Sequence, residues 1–136
     1  RLRMLILFFL KKSSFLRKTF TNFESKLFVP ETHKDFFEKY NPDAVIVSST
    51  GTLDYDHYFM REASSFGSKV ITVVQSWDNP SSKGYNGFFP DLTFAWTDNM
   101  KTELETFLDI KNEDIIVGGV PHFDNYKDEN FFLWEK

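Results

Sequence analysis

The sequence has no cysteine among its 136 residues. This absence excludes disulfide bonds and thiolate metal sites, and it is compatible with a reducing compartment. Long apolar runs are missing too, because the seven residues Met4–Leu10 fall short of the roughly 20 needed to span a membrane. No small-residue cleavage site follows this run, so it lacks the pattern of a secretory signal peptide. Together these absences favour the cytoplasm.

The charge is modest in total and uneven along the chain. The net charge of −4 does not favour nucleic acid as a partner. The first 28 residues hold seven Arg or Lys and one acidic residue, a net charge of +6, so the rest of the chain carries −10. This asymmetry predicts an acidic partner for the N-terminal segment, such as the inner surface of a membrane.

The chain does contain enough apolar surface for one core. Hydrophobic residues make up 41% of the sequence, and its length suits a single globular domain. Its 17 phenylalanines are unusual in number. Their ordinary use is to fill a core, since each aromatic ring buries a large area.

Residues 1–30 are predicted to form a basic amphipathic helical segment with a break near Ser13–Ser14. Helical spacing places four apolar side chains on one face, namely Leu16, Phe20, Phe23 and Leu27. Two interpretations stay open. The helix either lies in a membrane interface, with its apolar side in the lipid and Lys and Arg on anionic headgroups, or is an ordinary helix packed on the domain with its basic face in solvent.

The rest of the chain alternates short β-branched strands with amphipathic helices. The predicted strands are Ala44–Val47, Lys69–Val74, Leu92–Trp96 and Ile115–Val117, and the predicted helices start at Thr32, at Asp54, and at Thr97 or Asp98. The side chains predicted to point inward are Tyr55, Phe59, Ala63 and Phe66 in one helix, and Met100, Leu104, Phe107 and Leu108 in another. This alternation predicts an α/β domain with a Rossmann-like parallel sheet, and the continuous Val and Ile runs predict strands buried on both faces.

Three polar loops follow predicted strands, at residues 48–52, 75–83 and 118–124. The carboxyl ends of parallel strands share one edge of a sheet, and ligands bind beyond that edge in open α/β folds. We therefore expect the three loops to contribute to one site.

In the first loop, Ser49, Thr50 and Gly51 precede a helix. Hydroxyls and free amides at such a position hold a phosphate or a sugar, or they simply cap the helix. The helix begins with a carboxylate pair that includes Asp56, beside His57. Acidic residues there favour the helix dipole, and a metal site would need further ligands.

The second loop combines an indole, a carboxylate, an amide and an ammonium group. Trp77 is suited to stacking on a sugar ring or a base, Asp78 and Asn79 to binding hydroxyls, and Lys83 to binding a phosphate. Asp78 is also a candidate general base. In the alternative interpretation, Trp77 is a core plug and residues 78–80 form an Asx-type turn.

The third loop contains His122, the second candidate catalytic residue, in a position where functional residues are common. Gly118 and Gly119 allow close backbone approach or a positive φ, and Pro121 stiffens the exit from the loop.

Four runs of residues, taken in order, carry a resemblance to one family. They are Pro42–Val47, Ser76–Asn79 with Lys83–Gly84, Pro90–Asp91, and Gly118–Asp124. Over about residues 40–126 the chain resembles GT-B-like glycosyltransferases of surface-polysaccharide biosynthesis, and it is similar to CDP-glycerol glycerophosphotransferases and nucleotide-sugar epimerase-like transferases. Pro80 stands where the family usually has Leu, and Gly118 where it has Thr.

The resemblance implies two Rossmann-like domains facing across a cleft, one for the acceptor and one for a nucleotide-activated donor. It assigns residues 31–126 to the acceptor side and residues 127–136 to the start of a linker. The chain is then expected to be an inactive piece of a longer protein, with no cofactor of its own and without the donor-binding domain. The expected donor is a nucleotide sugar or CDP-glycerol, and the expected acceptor is a sugar or polyol phosphate.

The resemblance also assigns site residues. They are Ser76, Trp77, Asp78, Asn79 and Lys83 in a cleft loop, and Gly119, Pro121, Phe123 and Asp124 at the domain junction. Two other functions stay open: a non-catalytic α/β module that binds a sugar or a protein, and a membrane-surface adaptor that acts through residues 1–28.

Overall fold

The computed structural model describes residues 8–48, 54–120 and 123–124. Its strands are β1 (Ala44–Val47), β2 (Lys69–Val73), β3 (Leu92–Ala95) and β4 (Ile115–Val117). Its helices are α1 (Ser14–Leu27), α2 (Lys34–Tyr40), α3 (Asp54–Ser65), α4 (Asn79–Ser82) and α5 (Asp98–Leu108). Residues 8–12 are also helical, and a 3₁₀ turn at Asn112–Asp114 precedes β4.

The four strands form one sheet in which all neighbours are parallel and pair in chain order, β1-β2-β3-β4. Val45 lies opposite Val70, and Thr72 lies opposite Thr93. This α/β architecture with a Rossmann-like parallel sheet confirms the predicted fold class. Every predicted strand is present, with its ends within one residue of the prediction.

Side-chain caps begin two of the helices. The Ser13 hydroxyl accepts a hydrogen bond from the Leu16 amide at 3.3 Å, which confirms the predicted break near Ser13–Ser14. The Thr97 hydroxyl accepts from the Met100 amide at 3.2 Å and begins α5. Such oxygens are favoured there because the first amides of a helix have no partner within the helix.

α2 starts one residue later than the sequence predicts. Its N-cap is His33 rather than Thr32, and the His33 side chain makes no capping hydrogen bond. The buried carboxylate of Glu62 in α3 accepts from the His33 backbone amide at 2.8 Å, and it lies 3.1 Å from Nδ1 of the ring. A side chain from another helix therefore fixes this helix start, and a local sequence pattern does not reveal it.

One face of the sheet carries the core. Alternate strand residues pack there against α2, α3 and α5 in two clusters. The clusters are Val74, Ala95, Met100, Leu104, Leu108, Ile110 and Ile115, and Phe37, Val45, Val47, Met60, Ala63 and Val70. On the same face, the buried hydroxyls of Thr72 and Thr93 bond to each other at 3.1 Å, so neither is left unsatisfied.

The opposite face has no comparable helix layer within the described ranges. Ile46 is 71% exposed and Ile116 is 44% exposed, and Phe94, which pairs with Ile116, is only partly buried. Strands added in one direction through right-handed connections place every connecting helix on the same side. The prediction of strands buried on both faces is therefore wrong for the described part of the chain.

Two aromatic side chains predicted to point inward are exposed, Tyr55 at 82% and Phe107 at 51%. Tyr55 belongs to the first turn of α3, at the end nearest the loops. Phe107 lies about 60° around α5 from Leu104, the most deeply buried residue of that helix. The other side chains predicted to point inward do pack against the core.

α1 is attached to the domain through polar contacts. Arg17 donates two hydrogen bonds to the Asp109 carboxylate, at 2.7 and 2.9 Å, and the Tyr85 hydroxyl donates another at 2.8 Å. Burial raises the pKa of Asp109, but the bonds from Arg17, Ser14 and Tyr85 outweigh it and leave the pKa below its ordinary value. α1 does pack on the domain, as one of the two interpretations predicts, but it does so through polar side chains, because Phe20 on its apolar face is 52% exposed.

The two faces of the sheet predict different costs for the same kind of substitution. Val70→Thr places an unpaired hydroxyl in the core and is expected to lower the free energy of unfolding by about 1–3 kcal/mol. Ile46→Thr keeps a β-branched side chain on the open face and is expected to change it by less than about 0.5 kcal/mol. Urea unfolding measures both values, and equal losses would show that both faces are covered.

Asp109→Asn tests the charge that holds α1. Asp109 has a left-handed φ of 54°, which Asn tolerates, so the backbone is expected to persist. Loss of the charge-assisted bonds to Arg17 is expected to cost about 1–3 kcal/mol at neutral pH. Because the folded pKa of Asp109 is lowered, its contribution is present above the ordinary aspartate pKa and is lost as the pH falls through the lowered value. Urea unfolding at several pH values should show wild type and variant converging in acid, and a constant difference would contradict this role.

Candidate functional site

The loops that follow the four strands leave the same edge of the sheet, because all the strands are parallel. Neighbouring strands are about 4.8 Å apart, so the loops after β2 and β4 begin roughly 10 Å from each other. Ser49, Thr50, Gly51, Pro121 and His122, which the sequence places in these loops, lie outside the described residues.

Trp77 projects from the loop after β2 and is 74% exposed. The interpretation of this residue as a core plug is therefore wrong. Trp96 has that role instead: its ring packs against the core, and its Nε1 donates to the carbonyl of Val74 at 2.6 Å. The indole of Trp77 is left with an apolar face available to a ligand.

Asp78 is the centre of a small hydrogen-bonded cluster. Its carboxylate accepts from the hydroxyl of Ser76 at 2.5 Å and from that of Ser82 at 2.9 Å. These two bonds, the first being the larger influence, hold the pKa of Asp78 below its ordinary value of 3.8, and the charge of Lys83 adds to the effect. The carboxylate stays ionised and is a weak base, which favours accepting hydrogen bonds over removing protons.

The short helix α4 sets this geometry, where the sequence analysis expected only a loop. Asp78 is its N-cap and Pro80 lies in its first turn, a position that proline favours. The backbone amide of Asn79 donates to the Ser76 carbonyl at 3.2 Å and closes the turn. Asn79 is only 6% exposed, so little of its side chain is accessible. Its contact with a substrate stays a prediction.

Ser82 is a site residue that the sequence analysis missed. It lies four residues after Asp78, and side chains at that spacing meet on one face of a helical turn. The Asp-x-x-x-Ser spacing was therefore an available signal, and it needed only the recognition that residues 79–82 are helical.

The loop after β4 comes close to the ring of Phe94. The Gly118 amide donates to the Ala95 carbonyl at 2.9 Å, and a Cβ on Gly118 would lie 3.2 Å from the Phe94 ring. The threonine that the family resemblance leads one to expect here would crowd that ring. Gly119 has a φ of +79°, and Asp124 beyond it is exposed, so both are accessible at this edge.

The start of α3 adds a further acceptor at this edge. The Oδ2 atom of Asp56 is buried and has no hydrogen-bond partner among the residues that the structure describes. A buried acceptor of this kind calls for an explanation, such as a ligand hydroxyl. His57 packs against Gly87, with Nε2 3.3 Å from the Gly87 amide. Across the described ranges, no three His, Cys, Asp or Glu side chains come together as metal ligands.

The Pro90–Asp91 run lies at the opposite edge, where the strands begin. The Asp91 carboxylate accepts from the Val70 amide at 2.9 Å and from Lys69 Nζ at 2.8 Å. Burial raises the pKa of Asp91, but these two bonds outweigh it and leave the pKa lowered. This part of the family resemblance therefore has a structural role, joining the starts of β2 and β3.

Comparisons with protein-family models, with curated proteins and with solved structures found no match. No helix in the described part of the chain is long and apolar enough to cross a membrane. The loops at the carboxyl edge of the sheet therefore provide the structural information about function.

The loop after β2 brings together an apolar surface, an anionic hydrogen-bond acceptor and a cation. The exposed Trp77 ring provides a flat apolar surface for a sugar ring. Ionised Asp78 accepts hydrogen bonds from hydroxyls, and exposed Lys83 is a cation suited to a phosphate.

Asp78 is expected to titrate below 3.8, and Ser76→Ala is expected to raise its pKa more than Ser82→Ala. Carbon-detected NMR of the Asp78 carboxyl measures the midpoint. The stabilisation that Asp78 contributes is present above its ordinary pKa and is lost as the pH falls through the lowered value. Ser81→Ala is the control, because Ser81 donates to the Asp78 backbone carbonyl and not to the carboxylate. An ordinary midpoint in the wild type would contradict the cluster.

Proposed function

We propose that the chain forms the acceptor side of a glycosyl- or glycerophosphotransferase in surface-polysaccharide biosynthesis. The observation that carries the proposal is the exposed indole of Trp77 beside the ionised carboxylate of Asp78, at the carboxyl edge of a parallel sheet. The four sequence runs that resemble GT-B-like enzymes support it, since two of them supply the loops at this edge.

In this proposal the loop after β2 binds the acceptor, a sugar or polyol phosphate. Trp77 stacks on the ring or carbon chain, and Lys83 pairs with the phosphate. Asp78 accepts a hydrogen bond from the attacking hydroxyl and orients it, and the weak basicity of Asp78 leaves proton removal to another group. His122, outside the described residues, stays the second candidate for a catalytic role.

The donor in this proposal is a nucleotide sugar or CDP-glycerol, held by a second Rossmann-like domain across the cleft. The hydroxyl of the acceptor attacks the activated carbon or phosphorus of the donor, and the nucleotide leaves with the bonding electrons. The proposed location is the cytoplasm, peripheral to the membrane where surface polymers are assembled.

The alternative is a non-catalytic sugar-binding module. The lowered pKa of Asp78 favours the binding module, because an ionised carboxylate that already accepts two hydrogen bonds is better suited to binding hydroxyls than to removing protons. The coding sequence on either side of residues 1–136 separates the two functions. A neighbouring α/β domain with a donor-phosphate loop supports the transferase, and adjacent start and stop codons support the module.

Trp77→Ala is expected to weaken the binding of sugar phosphates or glycerol 3-phosphate about tenfold or more, since an aromatic surface of this size contributes on the order of 1.5–3 kcal/mol. Amide chemical shifts of residues 75–83, followed during titration with each compound, measure the affinity. Phe107→Ala is the control, because Phe107 is also an exposed aromatic side chain and belongs to α5 rather than to this loop. Unchanged shifts in residues 75–83 with every compound would contradict both forms of the proposal.

A further inference from the structure

α1 packs against the domain through its polar side, which is the reverse of an ordinary surface helix. Surface helices normally bury their apolar stripe and expose their polar side. Here Thr21 is 4% exposed and Arg17 bonds inward to Asp109, whereas Phe20 is 52% and Phe23 is 65% exposed. The helix therefore presents apolar side chains to solvent and buries polar ones.

Four of the five large apolar side chains of α1 form a continuous outer stripe. At 100° per residue, these four occupy an arc of about 60°, centred about 130° from Thr21. They are Leu16, Phe20, Phe23 and Leu27, with exposures between 39% and 65%. A shallow, mostly apolar groove of about 480 Å³ lies beside the stripe. Phe9 and Leu10, from the helical residues before α1, help to line this groove.

Polar contacts at both ends hold this orientation. Near its start, Arg17 bonds to Asp109 and also donates to the backbone carbonyls of Leu10 and Lys11, at 3.2 and 3.1 Å. Near its end, buried Arg61 of α3 donates to the carbonyl of Phe28 at 3.3 Å. Rotating the helix to bury its apolar stripe would break these bonds, so the outward stripe is the arrangement that the fold selects.

Charge decides what kind of partner fits the stripe. Lys11, Lys12 and Lys26 are exposed on this N-terminal segment, whose first 28 residues carry +6. The remaining residues carry −10 and are repelled by an anionic surface, so they would turn away from it. Exposed lysines on the same segment as an apolar stripe match anionic phosphate headgroups above acyl chains.

We propose that α1 is a membrane-contacting helix that inserts its outer stripe into the surface of an anionic bilayer. The lysines then contact the headgroups, and the Arg17–Asp109 contact sets the angle at which the domain stands on the membrane. This inference depends on α1 alone and is independent of the acceptor site at the sheet edge.

Co-sedimentation of the whole chain with vesicles tests the proposal. The chain is expected to bind phosphatidylglycerol-containing vesicles more tightly than pure phosphatidylcholine vesicles, and salt is expected to weaken that binding. Phe20→Ser and Phe23→Ser are each expected to weaken vesicle binding about tenfold or more, since each removes one aromatic ring that the bilayer would bury. Phe107→Ser is the matched control and is expected to bind like wild type.

Three results would overturn the proposal. They are the absence of sedimentation with anionic vesicles at low salt, equal binding by Phe20→Ser and wild type, and lipid-free self-association that Phe20→Ser abolishes. The last result would assign the stripe to a second copy of the chain, and light scattering across protein concentrations detects it. Circular dichroism of each variant confirms that α1 is still folded, and the sugar-phosphate titration reports separately on the acceptor site.

Discussion

Four parallel strands paired in chain order set the positions of the other described elements of this domain. The connecting helices fall on one face and build the core there, so the opposite face keeps Ile46 exposed. The same order brings the loops after all four strands to one edge. The described strands do not reverse direction along the sheet, so they contain no switch point of the kind at which doubly wound folds form their ligand crevice.

Polar interactions then determine which surfaces stay available. In α3, buried Glu62 accepts a hydrogen bond from the backbone amide of His33 at the start of α2. Buried Arg61 donates one to the carbonyl of Phe28, directly after α1. Asp109 holds Arg17, and thereby α1, with its apolar stripe outward. Each of these buried groups has hydrogen-bond partners, so its burial is tolerated, and removing a partner would leave a buried polar group unsatisfied.

The loop after β2 has residues that are fixed by burial and hydrogen bonds, and between them one exposed aromatic side chain. Asn79 and Pro80 are buried, and the hydroxyls of Ser76 and Ser82 fix the Asp78 carboxylate. Trp77, between these fixed points, is held outward. A binding group that is positioned before a ligand arrives loses less freedom on binding, which favours recognition by this loop.

The strands, the helix starts at Ser13 and Thr97, and the polar loops are predictable from local patterns, because hydrophobic period and side-chain caps act between near neighbours. The same patterns place Trp77 and Asp78 together in one loop. Three features follow from the packing of the whole domain: Trp77 is exposed while Trp96 fills the core, Glu62 fixes the start of α2, and α1 turns its apolar stripe outward. Each of these depends on contacts between residues far apart in the chain, such as Arg17 with Asp109, and periodicity along the chain does not encode such contacts.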